Sequence, residues 1–299
     1  MKIIITGGLG FVGSHLTPFL LNRGHHITAV GRAARQDQMV HDNYRYLSAD
    51  TTRPGNWQAA LDDADAVINL AGKSIFKRWS KKYKKQIYDS RLLTTRNVVS
   101  ALPAGKSVTL CSASGAGYYG SRADDILDED QPPGDDFLAR VSSDWEKEAL
   151  QATDKDIRVI TMRFGVVLAQ NGGALSKMIP AFKAFVGGPM GNGRQWFPWI
   201  HLDDLMAALM FIFEHPQITG PLNFCAPDPV INRELAASLG KVLHRPAFMP
   251  APAFMMRLVL GEFSQVLLGS QRTVPRKLLD HGFEFQFPEI GKALEAILN

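Results

Sequence analysis

Apolar and polar positions follow two alternating periods through the first half of the chain. Short apolar runs at Lys2 to Thr6, His26 to Gly31, Tyr44 to Ser48, Ala64 to Leu70, Val108 to Ser112 and Ile157 to Leu168 predict six strands. Between them lie helical patterns. Phe11 to Arg23 places Phe11, Val12, Leu16, Phe19 and Leu20 on one face and stops at Gly24. Ser80 to Leu102 and Phe137 to Ala152 predict two further helices. Strands that are apolar throughout, separated by helices, imply a parallel sheet covered on both faces. Right-handed crossovers then make this an α/β, doubly wound sheet.

After about residue 169 the alternation fades, and Gly187-Gly188-Pro189 interrupts the pattern. The expected division is a domain over 1–168 and a smaller C-terminal α/β substrate-side lobe over 169–299. Residues 196–226 are expected to return to the main sheet, because Trp199 to His215 reads as a strand end and a helix. The acidic stretch Asp124 to Asp136, with Pro132-Pro133, reads as a surface loop.

Composition changes this picture little. The 299 residues are 45% hydrophobic and 21% charged, ordinary values for a globular protein. Cys111 and Cys225 have no close Cys or His companion, so neither a disulfide framework nor a metal site is expected, and a cytoplasmic location fits. The apolar start at Ile3-Ile4-Ile5 runs straight into glycines and reads as a buried strand, not a signal peptide. The net charge of +4 comes from scattered basic residues. The dense run Lys81-Lys82-Tyr83-Lys84-Lys85 reads as a solvated helix face, with polyanion contact as the alternative. The expected partner is an unidentified small-molecule substrate, with no nucleic acid and no membrane.

The chemistry begins at Thr6-Gly7-Gly8-Leu9-Gly10-Phe11-Val12-Gly13, which follows the first strand and opens the first helix. Gly7 permits the tight turn, Gly10 lets backbone amides reach a pyrophosphate, and Gly13 lets helix and sheet approach. Phe11 and Val12 bring the N–H groups of a helix N-terminus, which favours anions. The second strand ends about twenty residues on, as a Rossmann dinucleotide site requires. An NAD site usually places Asp or Glu there for the ribose hydroxyls. This chain has Gly31-Arg32, with Arg35 nearby. A guanidinium pairs well with a 2′-phosphate, so the cofactor expected is NADP(H). The bland alternative is a solvated Arg32.

Three segments together resemble the extended short-chain dehydrogenases/reductases: Thr6 to Gly13, Asn69-Leu70-Ala71-Gly72 and Trp199-Ile200-His201-Leu202-Asp203-Asp204. Arg78-Trp79, Ser90-Arg91, Gly117-Tyr118-Tyr119-Gly120, Trp145-Glu146, Gly187-Gly188-Pro189 and Gly269 to Pro275 are similar to an atypical branch, the bacterial epimerase family proteins of YfcH type. The resemblance spans the chain. It implies a Rossmann core, a C-terminal substrate lobe, and further cofactor contacts at Leu70, Ala71, Gly72, Gln86, Arg91 and Val167. A packing role for these positions is the alternative.

Members of that superfamily usually rely on a serine, a tyrosine, and a lysine four residues after the tyrosine. The phenol exchanges a proton with the substrate and the lysine lowers its pKa. Ser114 fits the serine position. Counting back from Glu146 puts Ser142 at the lysine position and Leu138 at the tyrosine position, and neither can do that job. Tyr118 and Tyr119 are the candidate replacements, with packing as the alternative. Gln195, Trp196 and His201 are candidates for a substrate pocket. The leading expectation is an NADP(H)-dependent oxidoreductase-like enzyme of unknown substrate. A non-catalytic NADP(H)-binding redox sensor or scaffold is the second reading, and a nucleotide-sugar epimerase the third.

Overall fold

The computed structural model describes residues 1–34, 39–170 and 172–298. Seven strands form the main sheet: β1 (Lys2–Thr6), β2 (His26–Gly31), β3 (Tyr44–Ser48), β4 (Ala66–Asn69), β5 (Thr109–Gly115), β6 (Arg158–Phe164) and β7 (Gly220–Phe224). Their order is β7-β6-β5-β4-β1-β2-β3, and every pairing is parallel. The order reverses between β1 and β4. The loops leaving these two strands diverge and open a crevice at their carboxyl ends.

Side chains of a strand alternate between faces, and here both faces are buried. Ile3 and Ile5 pack with Leu16 and Leu20 of α1 (Phe11–Leu21) and with Leu205 and Leu209 of α5 (Leu202–Glu214). Ile4, Val67, Leu110 and Val159 turn the other way. They pack with Val98 and Val99 of α2 (Lys81–Ala101) and Ala149 of α3 (Phe137–Leu150). The result is a three-layer α/β/α sandwich of the Rossmann type.

Local chemistry sets the helix ends. Ser80 Oγ accepts from the Tyr83 N–H at 3.1 Å and starts α2. Asp136 does the same for α3 through the Ala139 N–H at 2.9 Å. At the far end of α2, Lys155 Nζ donates to the carbonyls of Val99, Ser100 and Leu102. These carbonyls have no later turn to bond, and the ammonium satisfies them.

The predicted sixth strand does not run through to Leu168. Gly165 breaks it, because a Cβ there would stand 3.0 Å from the backbone nitrogen of Trp199. Val166–Leu168 leaves the main sheet and pairs in parallel with Trp199–His201. Residues 196–226 thus divide: Trp199–His201 joins this small ladder, α5 covers the sheet beside α1, and β7 forms the sheet edge. Beyond lies a second core. There Leu168, Trp199 and Phe182 of α4 (Leu175–Lys183) meet Leu235 and Leu239 of α6 (Asn232–Val242) and Leu294 of the C-terminal helix Ile290–Leu298. The acidic stretch is not merely a surface loop. Its Ile126–Leu127 forms a parallel ladder with Arg272–Thr273, and Asp128 and Glu129 are buried.

The polar row across the sheet bears on the crevice. Thr6, Asn69, Ser112 and Thr161 stand side by side. Asn69 Oδ1 accepts from Thr6 Oγ1 at 2.6 Å, and Asn69 Nδ2 donates to Thr95 Oγ1 at 2.8 Å and to Ser112 Oγ at 3.2 Å. Thr95 Oγ1 also accepts from Trp145 Nε1 at 2.7 Å. One buried amide thereby ties three strands to α2 and, through Thr95, to α3. Asn69→Ala leaves several of these groups without partners, and is expected to cost about 1–3 kcal/mol per orphaned group. Denaturant unfolding measures this; an unchanged midpoint would show that the row contributes only shape.

Candidate active site

The crevice is built from the glycine turn upward. Gly7 has φ +71°, a left-handed conformation that favours glycine. A Cβ there would also lie 3.0 Å from the backbone of Leu70 and Ala71, so the loops after β1 and β4 touch through it. A Cβ on Gly13 would stand 2.5 Å from the Gly7 carbonyl oxygen, so α1 rests directly on the turn. Gly10 is the N-cap of α1 and offers no side-chain cap. The first N–H groups of the helix, at Phe11, Val12 and Gly13, have no carbonyl one turn earlier within it. The cradle fits a pyrophosphate: glycine keeps it open, and the helix end supplies donors and a favourable dipole. Phe11 lies against Gly172 and Gly173, close to the Val167 carbonyl, so the loop after Val166–Leu168 closes over one side.

At the end of β2, Gly31 faces the hydroxyl of Tyr46. A Cβ on Gly31 would come within 3.2 Å of it. Tyr46 Oη donates to the Ala33 carbonyl at 2.9 Å and so steadies the chain on either side of exposed Arg32. Arg35 lies outside the described residues. At the end of β4, the guanidinium of Arg91 stands 3.2 Å from where a Gly72 Cβ would be. It donates to the carbonyls of Lys73 and Ile87, and among the described residues no carboxylate pairs with it. Burial without an anionic partner pushes its pKa down to about 10. It still carries charge at neutral pH. Gln86 is exposed on the same helix, rotated by roughly 140° from Arg91.

The β5–β6 side of the sheet is dominated by a buried ion pair. Arg163 of β6 reaches Glu146 of α3 with two contacts of 2.9 Å, and both side chains are almost fully buried. Burial alone lowers the Arg163 pKa, but the bond to Glu146 more than offsets this and raises it overall. Ser114 Oγ donates to the same Glu146 carboxylate at 2.6 Å. Arg163 also donates to Tyr119 Oη at 2.9 Å, and Tyr119 donates to Asn223 Oδ1 at 2.7 Å. The Asn223 N–H donates to Glu129 Oε1, and the Lys277 N–H to Glu129 Oε2. The chain of bonds runs from the Rossmann helices into the C-terminal segment.

The candidate residues take these places. Tyr119 has no exposed surface and burial pushes its phenol pKa up. Tyr118 is half-buried beneath Arg163, whose guanidinium carbon is 3.6 Å from the ring centroid. Gln195 spends its amide on the carbonyls of Met190 and Leu267 at 3.1 Å each. Trp196 Nε1 donates to Asp124 Oδ1 at 2.8 Å, and Arg272 covers its ring. His201 is buried against Phe287 and its Nδ1 accepts from the Asp203 N–H, capping α5. Leu138 stands next to Gly117, where the superfamily's tyrosine would be, and Ser142 is buried. The sequence reasoning missed Arg163. Its signal was present: a cation one residue before the end of a largely apolar strand. Tyr46 and Arg272 were also missed, and neither carries a sequence signal of its own.

The model of the NAD dependent epimerase/dehydratase family matches residues 3–223. The chain belongs to that family. Residues 251–297 match a domain of unknown function, DUF1731. The chloroplastic SDR39U1 homologue of Arabidopsis thaliana is 38% identical over all of this chain and 87% of its own length. Epimerase family protein YfhF of Bacillus subtilis is 37% identical over 100% and 98%. The crystal structure of human epimerase family protein SDR39U1 with NADPH superposes with a TM-score of 0.85 at 33% identity, covering 100% of this chain and 99% of the human one. The family member described here is therefore an atypical extended short-chain dehydrogenase/reductase. No helix among the described residues is long and apolar enough to cross a membrane.

Two measurements test this site. Glu146→Ala leaves Arg163 buried without its anion and is expected to cost about 3–5 kcal/mol, read as a lower unfolding midpoint. His201 titrates below its ordinary 6.5 because burial disfavours the charged ring, an effect the Asp203 charge opposes. The unfolded state thus binds the proton more readily. Stability is full above pH 6.5 and falls as the pH drops from there toward the folded pKa. His201→Asn, which keeps a capping side chain, is expected to flatten the stability slope below pH 6.5; an unaltered slope would assign it to other groups.

Proposed function

We propose that this protein is an NADP(H)-dependent oxidoreductase that acts on a small alcohol or carbonyl compound. The observation that carries the reading is the glycine cradle at the strand-order reversal, with Arg32 rather than a carboxylate at the end of β2. The NADPH in the human relative's structure supports it. Arg32 would pair with the 2′-phosphate, Tyr46 would hold the loop that presents it, and Arg91 would face an anionic group beside Gly72. The free, buried Cys111 and Cys225 support a reducing compartment such as the cytoplasm.

The cofactor supplies a hydride or accepts one. The protein must then move one proton at the substrate oxygen. Ser114 already donates its own proton to Glu146, so its oxygen is left to accept one. An alcohol seated beside Ser114 would donate its hydroxyl proton to Oγ as the serine proton shifts to Glu146. The reverse shift serves carbonyl reduction. Arg163 holds Glu146 in place with two hydrogen bonds. This path replaces the tyrosine and lysine that Leu138 and Ser142 cannot supply.

A second reading, a non-catalytic NADP(H) sensor, is favoured by that same loss. A nucleotide-sugar epimerase has the least support, because its usual phenol is missing.

Cofactor affinity and turnover separate these readings. Wild type is expected to bind NADPH more tightly than NADH, and Arg32→Glu to weaken NADPH binding by about ten- to a hundredfold while sparing NADH. Ser114→Ala is expected to lower turnover by about a hundredfold or more at unchanged NADPH affinity. The readouts are nicotinamide fluorescence titration and NADPH oxidation over a panel of carbonyl compounds. Tight NADPH binding with no turnover on any of them would favour the sensor. An unaltered preference in Arg32→Glu would remove Arg32 from the phosphate site.

A further inference from the structure

The C-terminal lobe carries a patch that the cofactor site does not use. Phe185, Val186, Phe248, Phe254, Leu258 and Val259 are each 52% to 75% exposed. They come from three segments that lie together. The Met249 N–H donates to the Gly187 carbonyl at 3.2 Å, and the Arg245 guanidinium covers the Phe185 ring at 4.8 Å. Four residues further on begins α7 (Ala253–Leu260), whose outer surface holds Phe254, Leu258 and Val259. Isolated exposed apolar residues need no explanation, but a cluster of this kind marks an interaction site.

Charge decides what it meets. Residues 171–202 and 235–261 contain no Asp or Glu, while Lys183, Arg245 and Arg257 border the apolar side chains and are exposed. The basic rim continues across the domain junction. Arg78 packs against Gly261 at the end of α7, and exposed Lys81 and Lys82 lie just beyond it at the start of α2. Glu262, the nearest acid in the chain, is already paired with Lys84 at 2.6 Å. A second copy seated on the same face in a two-fold dimer would set cation against cation. The matching surface is apolar within and anionic at its boundary.

We infer that this face rests on an anionic lipid bilayer, with α7 lying in the plane of the headgroups. Phe254, Leu258 and Val259 enter the acyl boundary, and Arg257, Lys183 and Arg245 meet lipid phosphates. The cytoplasmic leaflet carries such charge. The attachment is peripheral and reversible, and departs from the expectation of no membrane partner.

The test is flotation of the full-length protein with vesicles of phosphatidylcholine alone or mixed with phosphatidylglycerol. Binding is expected only to the mixed vesicles, decreasing as salt is raised. The double substitution Phe254→Glu and Leu258→Glu is expected to weaken it by about tenfold or more. Both sites are exposed, and an unchanged melting temperature with NADPH binding retained checks that the variant is folded. No flotation with phosphatidylglycerol vesicles overturns the proposal. So does equal flotation of folded variant and wild type. A wild-type dimer by light scattering that the variant converts to monomer assigns the face to a second copy instead. Loss of lipid binding leaves the oxidoreductase reading intact, because that rests on the opposite end of the molecule's chemistry, the glycine cradle and Arg32.

Discussion

A guanidinium buried within a parallel sheet is the constraint around which the β5–β7 side of this molecule is arranged. Arg163 sits on β6, between β5 and β7, buried beside Ser114 and Asn223 of the two flanking strands. A charge there is tolerable only when it is paired and its donors are spent. Glu146 accepts from two of its N–H groups, Tyr119 Oη from a third and the Glu129 carbonyl from a fourth. Each partner is then held by another group. Asn223 fixes Tyr119, and also bonds the carbonyls of Leu127 and Val274, which flank the ladder between Ile126–Leu127 and Arg272–Thr273. The seam between Rossmann core and C-terminal segment is thus a consequence of satisfying one buried cation.

That arrangement gives Ser114 a partner that involves neither a tyrosine nor a lysine. Ser114 is not waiting for a phenol. Its proton is committed to the carboxylate that balances Arg163. The position four residues before Glu146, where a lysine would stand, is instead a buried serine, and adding a second cation beside this network would find no free anion. The glycine cradle and the ion network are therefore separable. The cradle is made of backbone and small residues around β1 and β4, whereas the ion network lies around β5 and β6.

Much of the fold was legible because its signals are local. Most strands of the core are short apolar runs, and the two longest helices, α2 and α3, begin at the capping side chains of Ser80 and Asp136. The glycine turn was legible for the same reason: positive φ at Gly7 and close approach at Gly13 are demands that only glycine meets. Gly165 was harder to read. A glycine in an apolar run is compatible with a continuous strand, and the break arises from Trp199, thirty-four positions away. The acidic stretch was misread as loop because its buried members, Asp128 and Glu129, are satisfied by Arg276 and by backbone N–H groups far along the chain. The pocket trio has partners of the same distant kind. Gln195, Trp196 and His201 have the right chemistry to meet a ligand, but Leu267, Asp124 and Phe287 use it first.

The sequence by itself determined the architecture, the dinucleotide turn, the cation at the end of β2 and the presence of Leu138 and Ser142 eight and four residues before Glu146. These rest on periodicity, on backbone geometry and on the plain identity of a residue at a counted position. Only the tertiary structure decided which polar groups remain free. Hydrogen bonds such as Tyr119 to Asn223 or Arg163 to Glu146 join residues from different elements, and a donor engaged in the core is unavailable to a substrate. It also decided that three apolar segments, unremarkable when read separately, share one cation-rimmed face. Hydrophobic burial is judged by what surrounds a side chain, and the linear order of residues does not contain those surroundings.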